Sequence, residues 1–187
     1  MSSDSPGLQV DTVAIDLADT ESVSEALAGV DLLLADSPLE VVVYNAARPI
    51  PSKFFEYELA ELETDLRVSV GSLYTVANWA FPKFEAIRSD MTLRPSFLVT
   101  SGGLYKSPMP AMFSLSASKA AQYNLIESLH KEYSPNGIHT ALVVVGGSVS
   151  DESLYCSPAM IAENFWELYI QTQPIDFSVE LVDPDWV

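Results

Sequence analysis

Residues 140–147 read TALVVVGG. The run from Thr140 to Val145 carries no charge, ends in three consecutive valines, and is closed by two glycines. Alternating apolar and polar residues would mark a strand that is wet on one face. An unbroken β-branched run marks a strand covered on both faces, as in a parallel sheet. Phe97–Thr100 (FLVT) and Val41–Tyr44 (VVVY) have the same character. Val10–Ile15 and Phe177–Val182 bring the predicted strands to five.

Helical spacing fills the intervals. Glu21–Leu34 follows Asp19-Thr20, which can cap a helix. Glu56–Ile87 places Leu59, Leu62, Leu66, Val70, Leu73 and Val76 on one helical face. Ser116–Tyr133 carries Ala120, Tyr123, Ile126 and Leu129 at similar spacing and stops at the breaker Ser134-Pro135-Asn136-Gly137. Pro158–Ile170 reads as a further amphipathic helix. Strands alternating with helices predict an α/β fold, with helices on both faces of a mostly parallel sheet and right-handed crossovers. No repeat or linker interrupts residues 1–187, which read as one domain.

Nine Lys and Arg stand against 26 Asp and Glu, for a net charge of −17. Such a field repels nucleic-acid phosphates and anionic membrane surfaces. No apolar run approaches the roughly 20 residues that span a bilayer. The opening MSSDSPG has neither the basic nor the apolar region of a secretory signal. The single cysteine, Cys156, permits no intrachain disulfide. These features predict a cytoplasmic protein. His130 and His139 are too few and too far apart for a metal site, and no Gly-x-Ser-x-Gly elbow is present.

Five short motifs, in order, resemble the short-chain dehydrogenase/reductase superfamily. Asp16-Leu17 looks like its acidic turn beside the adenine ring. Asn45-Ala46-Ala47 is similar to its Asn-Asn-Ala-Gly motif. Thr100-Ser101-Gly102-Gly103 looks like the strand end bearing its catalytic serine. Ser116–Ala121 (SASKAA) is similar to the start of its active-site helix, and the glycines after Val145 resemble its Pro-Gly. The resemblance implies a Rossmann-like three-layer sandwich and hydride transfer between NAD(P)(H) and a small carbonyl or alcohol. It implies catalytic roles for Ser101 and Lys119, and cofactor contacts from Asp16, Asn45 and Lys119.

The departures bear on that chemistry. Among Gly7, Gly29, Gly71, Gly102, Gly103, Gly137, Gly146 and Gly147, no spacing makes the glycine-rich turn that seats a pyrophosphate. The chain therefore reads as N-terminally truncated, beginning at what resembles the family's third strand. Four residues before Lys119, where the family has its proton-donating tyrosine, stands Leu115. Ser69 stands where the family has an asparagine that helps position the lysine and a water relay.

Each candidate has a second reading. Ser101 either bonds a substrate carbonyl or satisfies backbone groups at a strand end. Lys119 is a relic, a surface lysine, or a cation that polarises another ligand; burial beside Ser101 would lower its pKa. Tyr105 is either a substitute acid or an ordinary packed or solvated loop residue. Asn45 ties strand ends if it binds nothing, and Asp16 matters only if a cofactor binds.

With the family's first two strands absent, Val10–Ile15 is expected to pair directly with Val41–Tyr44, because unpaired backbone is costly when buried. The long helices, the family's dimer face, predict a homodimer or pairing with a full-length relative. Three functions follow: a dehydrogenase-type protein impaired or inactive as written, a cofactor-independent isomerase or cyclase in the same cleft, and a non-catalytic dimerisation module.

Overall fold

The computed structural model describes residues 9–172 and 175–186; the opening MSSDSPG segment, read above as lacking a leader, lies outside the described residues. The elements run α1 (Thr20–Leu34), β1 (Val41–Tyr44), α2 (Leu59–Leu66), α3 (Ser72–Ile87), β2 (Ser96–Gly102), α4 (Phe113–Tyr133), β3 (His139–Gly146), α5 (Pro158–Ile170) and β4 (Ser178–Val182). The four strands form one parallel sheet in the order β1-β2-β3-β4. One face packs Phe97, Val99, Leu142 and Val144 against Leu73, Ala77, Phe81 and Phe84 of α3 and Ile126 of α4. The other face packs Leu98, Ala141 and Val143 against Leu168 of α5. The unbroken apolar runs are thus covered on both faces, giving the three layers expected.

The fifth predicted strand is absent. Val10–Ile15 forms no strand, and Val10, Val13 and Ile15 are exposed at 72%, 38% and 43%. The reason is local anchoring just downstream. Leu17 O accepts from Ser72 Oγ at 2.6 Å, and Ala18 O accepts from Arg67 Nη1 at 3.3 Å. Val13 also lies against Gly29 of α1, 3.7 Å from where a Cβ would stand. These contacts hold the segment with the helix layer, so it does not pair with β1, which is left as an edge strand.

The predicted helix Glu56–Ile87 is also divided. A π-helical turn, Arg67–Gly71, separates α2 from α3. The turn buries Val68 and Ser69 and presents their carbonyls sideways. Tyr44 Oη donates to Val68 O at 2.5 Å and Gln122 Nε2 to Ser69 O at 3.3 Å. The widened turn therefore ties β1, α3 and α4 together. The remaining boundaries follow sequence chemistry. Asp19 caps α1 by accepting from Glu21 N at 2.9 Å, and Gly137 turns the chain after α4 at φ 88°.

Candidate functional site

Lys119 projects from α4 toward the carboxyl end of β2 and is 6% exposed. Its Nζ donates to Thr100 O at 3.1 Å and to Gln122 Oε1 at 2.9 Å. Gln122, wholly buried and one turn further along α4, passes its own donor to Ser69 O. No carboxylate lies within ion-pair distance of Lys119 among the described residues. Burial without a counter-ion lowers its pKa to about 8. A helix face that aligns Lys119 with Gln122 at i, i+3 produces this arrangement; Gln122 is not among the candidates read from the sequence, and that spacing is the one signal that could have found it.

Ser101 is 2% exposed and its Oγ has no hydrogen-bond partner among the described residues; the same holds for Ser69, Thr100, Ser118 and Thr140. The position facing the lysine stem is the next one. A Cβ on Gly102 would stand 3.8 Å from Lys119 Cε and 3.9 Å from its Cγ. Leu115, one turn before Lys119 on the same helix face, is buried and adds only hydrocarbon.

Tyr105 is held elsewhere. Its ring stacks on Tyr123, with centroids 4.0 Å apart at 8°. Its hydroxyl donates to Glu180 Oε1 on β4 at 3.0 Å. Burial, together with that carboxylate, pushes the phenol pKa well above its usual value. Asp16 is exposed before α1, its Oδ1 accepting from Ala18 N at 2.8 Å. Asn45 is exposed at the carboxyl end of β1. The structure thus gathers Thr100–Gly102, Lys119 and Gln122, with Tyr105 committed to β4.

A second polar cluster was not evident from the sequence. The buried Asp65 carboxylate accepts from Arg48 Nη1 at 2.7 Å, Tyr57 Oη at 2.6 Å and Ser114 Oγ at 2.5 Å. Ser114 N in turn donates to Ser52 Oγ. The cluster straps the loop after β1 to the first turn of α4. Above that turn lies an apolar groove of about 480 Å³, lined by Phe54, Leu104, Tyr105, Met109, Phe113 and Ala117.

Residues 2–153 match the sequence model of the short chain dehydrogenases. The chain belongs to the short chain dehydrogenase family. Solved structures give the same architecture. A Brucella ovis short chain dehydrogenase/reductase family oxidoreductase, in complex with a partially ordered NAD, is 21% identical. That match covers 91% of this chain and 78% of that one, with a TM-score of 0.75. A metagenomic short-chain oxidoreductase in complex with NADP is 21% identical over 94% of this chain and 75% of that one, with a TM-score of 0.80. The Thermococcus sibiricus alcohol dehydrogenase complexed with 5-hydroxy-NADP is 18% identical over 89% and 72%, with a TM-score of 0.73. The dehydrogenase motifs fall on this frame in order: Asn45-Ala46-Ala47 after β1, Thr100–Gly103 at the end of β2, Ser116–Ala121 in α4 and Gly146-Gly147 closing β3. Among the described residues, no helix is long and apolar enough to cross a membrane. His130 and His139 each bond a backbone carbonyl, and no group of three potential metal ligands occurs among those residues.

Proposed function

We propose that this chain is a dehydrogenase-type protein that takes a small carbonyl or alcohol compound beside Lys119, with its ancestral NAD(P)(H)-dependent oxidoreduction impaired. The observation that carries the reading is the surroundings of Lys119. Its donors engage Thr100 O and Gln122 Oε1, Leu115 precedes it by one turn, and the phenol of Tyr105 is engaged by Glu180. A reductase of this lineage needs a hydroxyl acid that shares the lysine, and no such group is positioned here.

The residues present do not fit a nicotinamide dinucleotide. No glycine-rich turn joins a strand to a helix N-terminus among the described residues. Asp16 and Asn45, the remaining cofactor positions implied by family resemblance, offer two exposed polar groups and no cradle. The apolar groove beside α4 offers room for the hydrocarbon body of a substrate. The test is calorimetric titration with NAD(H) and NADP(H). Dissociation constants weaker than about 1 mM are expected; micromolar binding would overturn the reading.

The lysine itself favours a second reading, a cofactor-independent isomerase or cyclase. With a pKa of about 8, part of the Lys119 population is free amine near pH 8. A free amine can remove a proton α to a carbonyl, and the ammonium can polarise one. Exchange of α-protons for solvent deuterium in a bound ketone, lost in Lys119→Met, distinguishes this reading from the first. For the non-catalytic alternative, a groove of about 170 Å³ along α3 and α4, lined by Tyr74, Phe81, Leu129 and Tyr133, supports pairing of two copies through that helix face. Light scattering at micromolar concentration tests it, and a monomeric mass would count against it.

A further inference from the structure

The amino ends of β2 and β3, at the opposite end of the strands from Lys119, floor a cavity of about 340 Å³. Ser96 and His139, register partners at the first positions of the two strands, lie at its base, and Met91 and Leu93 give it hydrocarbon walls. Arg88 and Arg94 complete the lining that matters here. Arg88 ends α3, and its Nη1 donates to Asn136 O, just beyond α4, at 3.1 Å. Arg94 precedes β2, and its Nη1 donates to Ile170 O, at the end of α5, at 2.5 Å. Helices α3 and α4 cover one face of the sheet and α5 covers the other. The two guanidiniums are therefore anchored on opposite helix layers, with the strand ends between them.

Neither arginine has an acid partner. The chain carries 26 Asp and Glu for nine Lys and Arg, so carboxylates are on hand for every base. Arg48, Lys53, Lys83, Lys106 and Lys131 each lie within ion-pair distance of one; among the described residues Arg88 and Arg94 do not. The carboxylates that touch the lining are turned to other donors. Asp90 Oδ1 accepts from Thr92 N and Oγ1, Glu40 Oε1 from Tyr169 Oη and Arg94 N, and Asp176 Oδ2 from Gln171 Nε2. A backbone carbonyl orients a guanidinium without neutralising it. The donors left over form a planar fork that matches a carboxylate.

We infer that this cavity binds a two-ended organic dianion, in its simplest form an α,ω-dicarboxylate. One carboxylate sits on Arg88, the other on Arg94, and the hydrocarbon linker lies against Met91 and Leu93. Two cations anchored on separate layers select a ligand charged at both ends, since a monocarboxylate satisfies only one of them. The apolar walls select a linker of methylenes over a polar one. The site stands apart from the Lys119 reading: it occupies the other end of the strands and takes a different class of compound, so either can fail while the other holds.

The test is calorimetric titration of the native chain with suberate, octanoate and succinate. Suberate should bind with a dissociation constant of about 1 mM or tighter. Octanoate, of the same length but with one charge, should bind about tenfold or more weakly, as loss of a charge-assisted bond implies. Succinate, too short to reach both arginines, should bind no tighter than octanoate. Arg88→Gln and Arg94→Gln, both at exposed positions, should each bring suberate down to the affinity of octanoate. Arg67→Gln removes an arginine that lies outside the cavity and also lacks an acid partner among the described residues; it should leave suberate binding unchanged, as should Lys119→Met. No binding at about 10 mM suberate, suberate no tighter than octanoate or succinate, or full suberate affinity in either Arg88→Gln or Arg94→Gln would overturn the inference. A loss in Arg67→Gln or Lys119→Met equal to that of the cavity variants would overturn the location.

Discussion

Leu115 and Lys119 lie one turn apart on α4 and are both buried, at 8% and 6% exposure. A helix places residues four apart on the same face, so the side chain one turn before the lysine is hydrocarbon. The lysine instead engages Gln122 and the Thr100 carbonyl, a closed arrangement that needs no phenol.

Leu115→Tyr alone should therefore leave NADPH oxidation with aryl ketones at the background rate. The phenol would enter a filled site, and overpacking of this kind costs about 1–3 kcal/mol. Gly102, which faces the lysine, would still offer no hydroxyl. Absorbance assays and urea denaturation check the two halves; robust NADPH turnover by this single change would refute the proposed impairment.

Tyr105 is expected to behave as a structural residue. Its hydroxyl donates to Glu180, and its phenol pKa is pushed up by burial and that carboxylate. Ultraviolet titration should find late-ionising tyrosines, Tyr44 and Tyr105 among them, that stay protonated after exposed ones have ionised, and Tyr105→Phe should lower that late absorbance by one residue. The same variant should lose about 0.5–1.5 kcal/mol of stability, the worth of one hydrogen bond. It should leave the rate of chemical acetylation of Lys119 unchanged.

Most of the sheet was legible in local composition, because strands covered on both faces have no polar alternation to confuse the reading: Val41–Tyr44, Phe97–Thr100 and Thr140–Val145 all lie within observed strands. Val10–Ile15, interrupted by Asp11 and Thr12, forms none. Its fate depends on where Leu17 and Ala18 are anchored, which involves residues about fifty positions away. The π turn was hidden for a different reason, since apolar spacing runs through it from Leu66 to Val70 while the backbone gains one residue. At the site, Lys119 and Ser101 could be singled out, but the outward turn of Tyr105 to Glu180 joins segments far apart in sequence. No local pattern encodes such a contact.

The Asp65 strap should be the most sensitive polar feature. Its carboxylate is 2% exposed and accepts from Arg48, Tyr57 and Ser114. Asp65→Ala leaves these donors without their acceptor and should cost about 3–5 kcal/mol, as removal of one member of a buried pair does. Glu61, the other carboxylate on Arg48, is half exposed. Glu61→Ala should cost at most about 1 kcal/mol. Urea unfolding of the two variants compares them directly, and equal losses would show that Asp65 is not the anchor.

Lys119 should also leave a signature in the dependence of stability on pH. Its pKa is about 8 in the folded chain and near the usual 10.5 when unfolded, because burial penalises the ammonium. Below pH 8 both states carry the proton and the penalty is constant. Between about pH 8 and 10.5 the unfolded state binds more protons, so stability from this group rises with pH. Relative to Lys119→Met, the native chain should therefore gain stability across that window, with a ceiling of roughly 3–4 kcal/mol. Subtracting the urea-derived stabilities of the two proteins at each pH removes the contribution of tyrosines common to both. A difference that stays flat from pH 8 to 10.5, or falls, would mean that Lys119 is solvated and that its hydrogen bonds to Thr100 and Gln122 do not hold it in the interior.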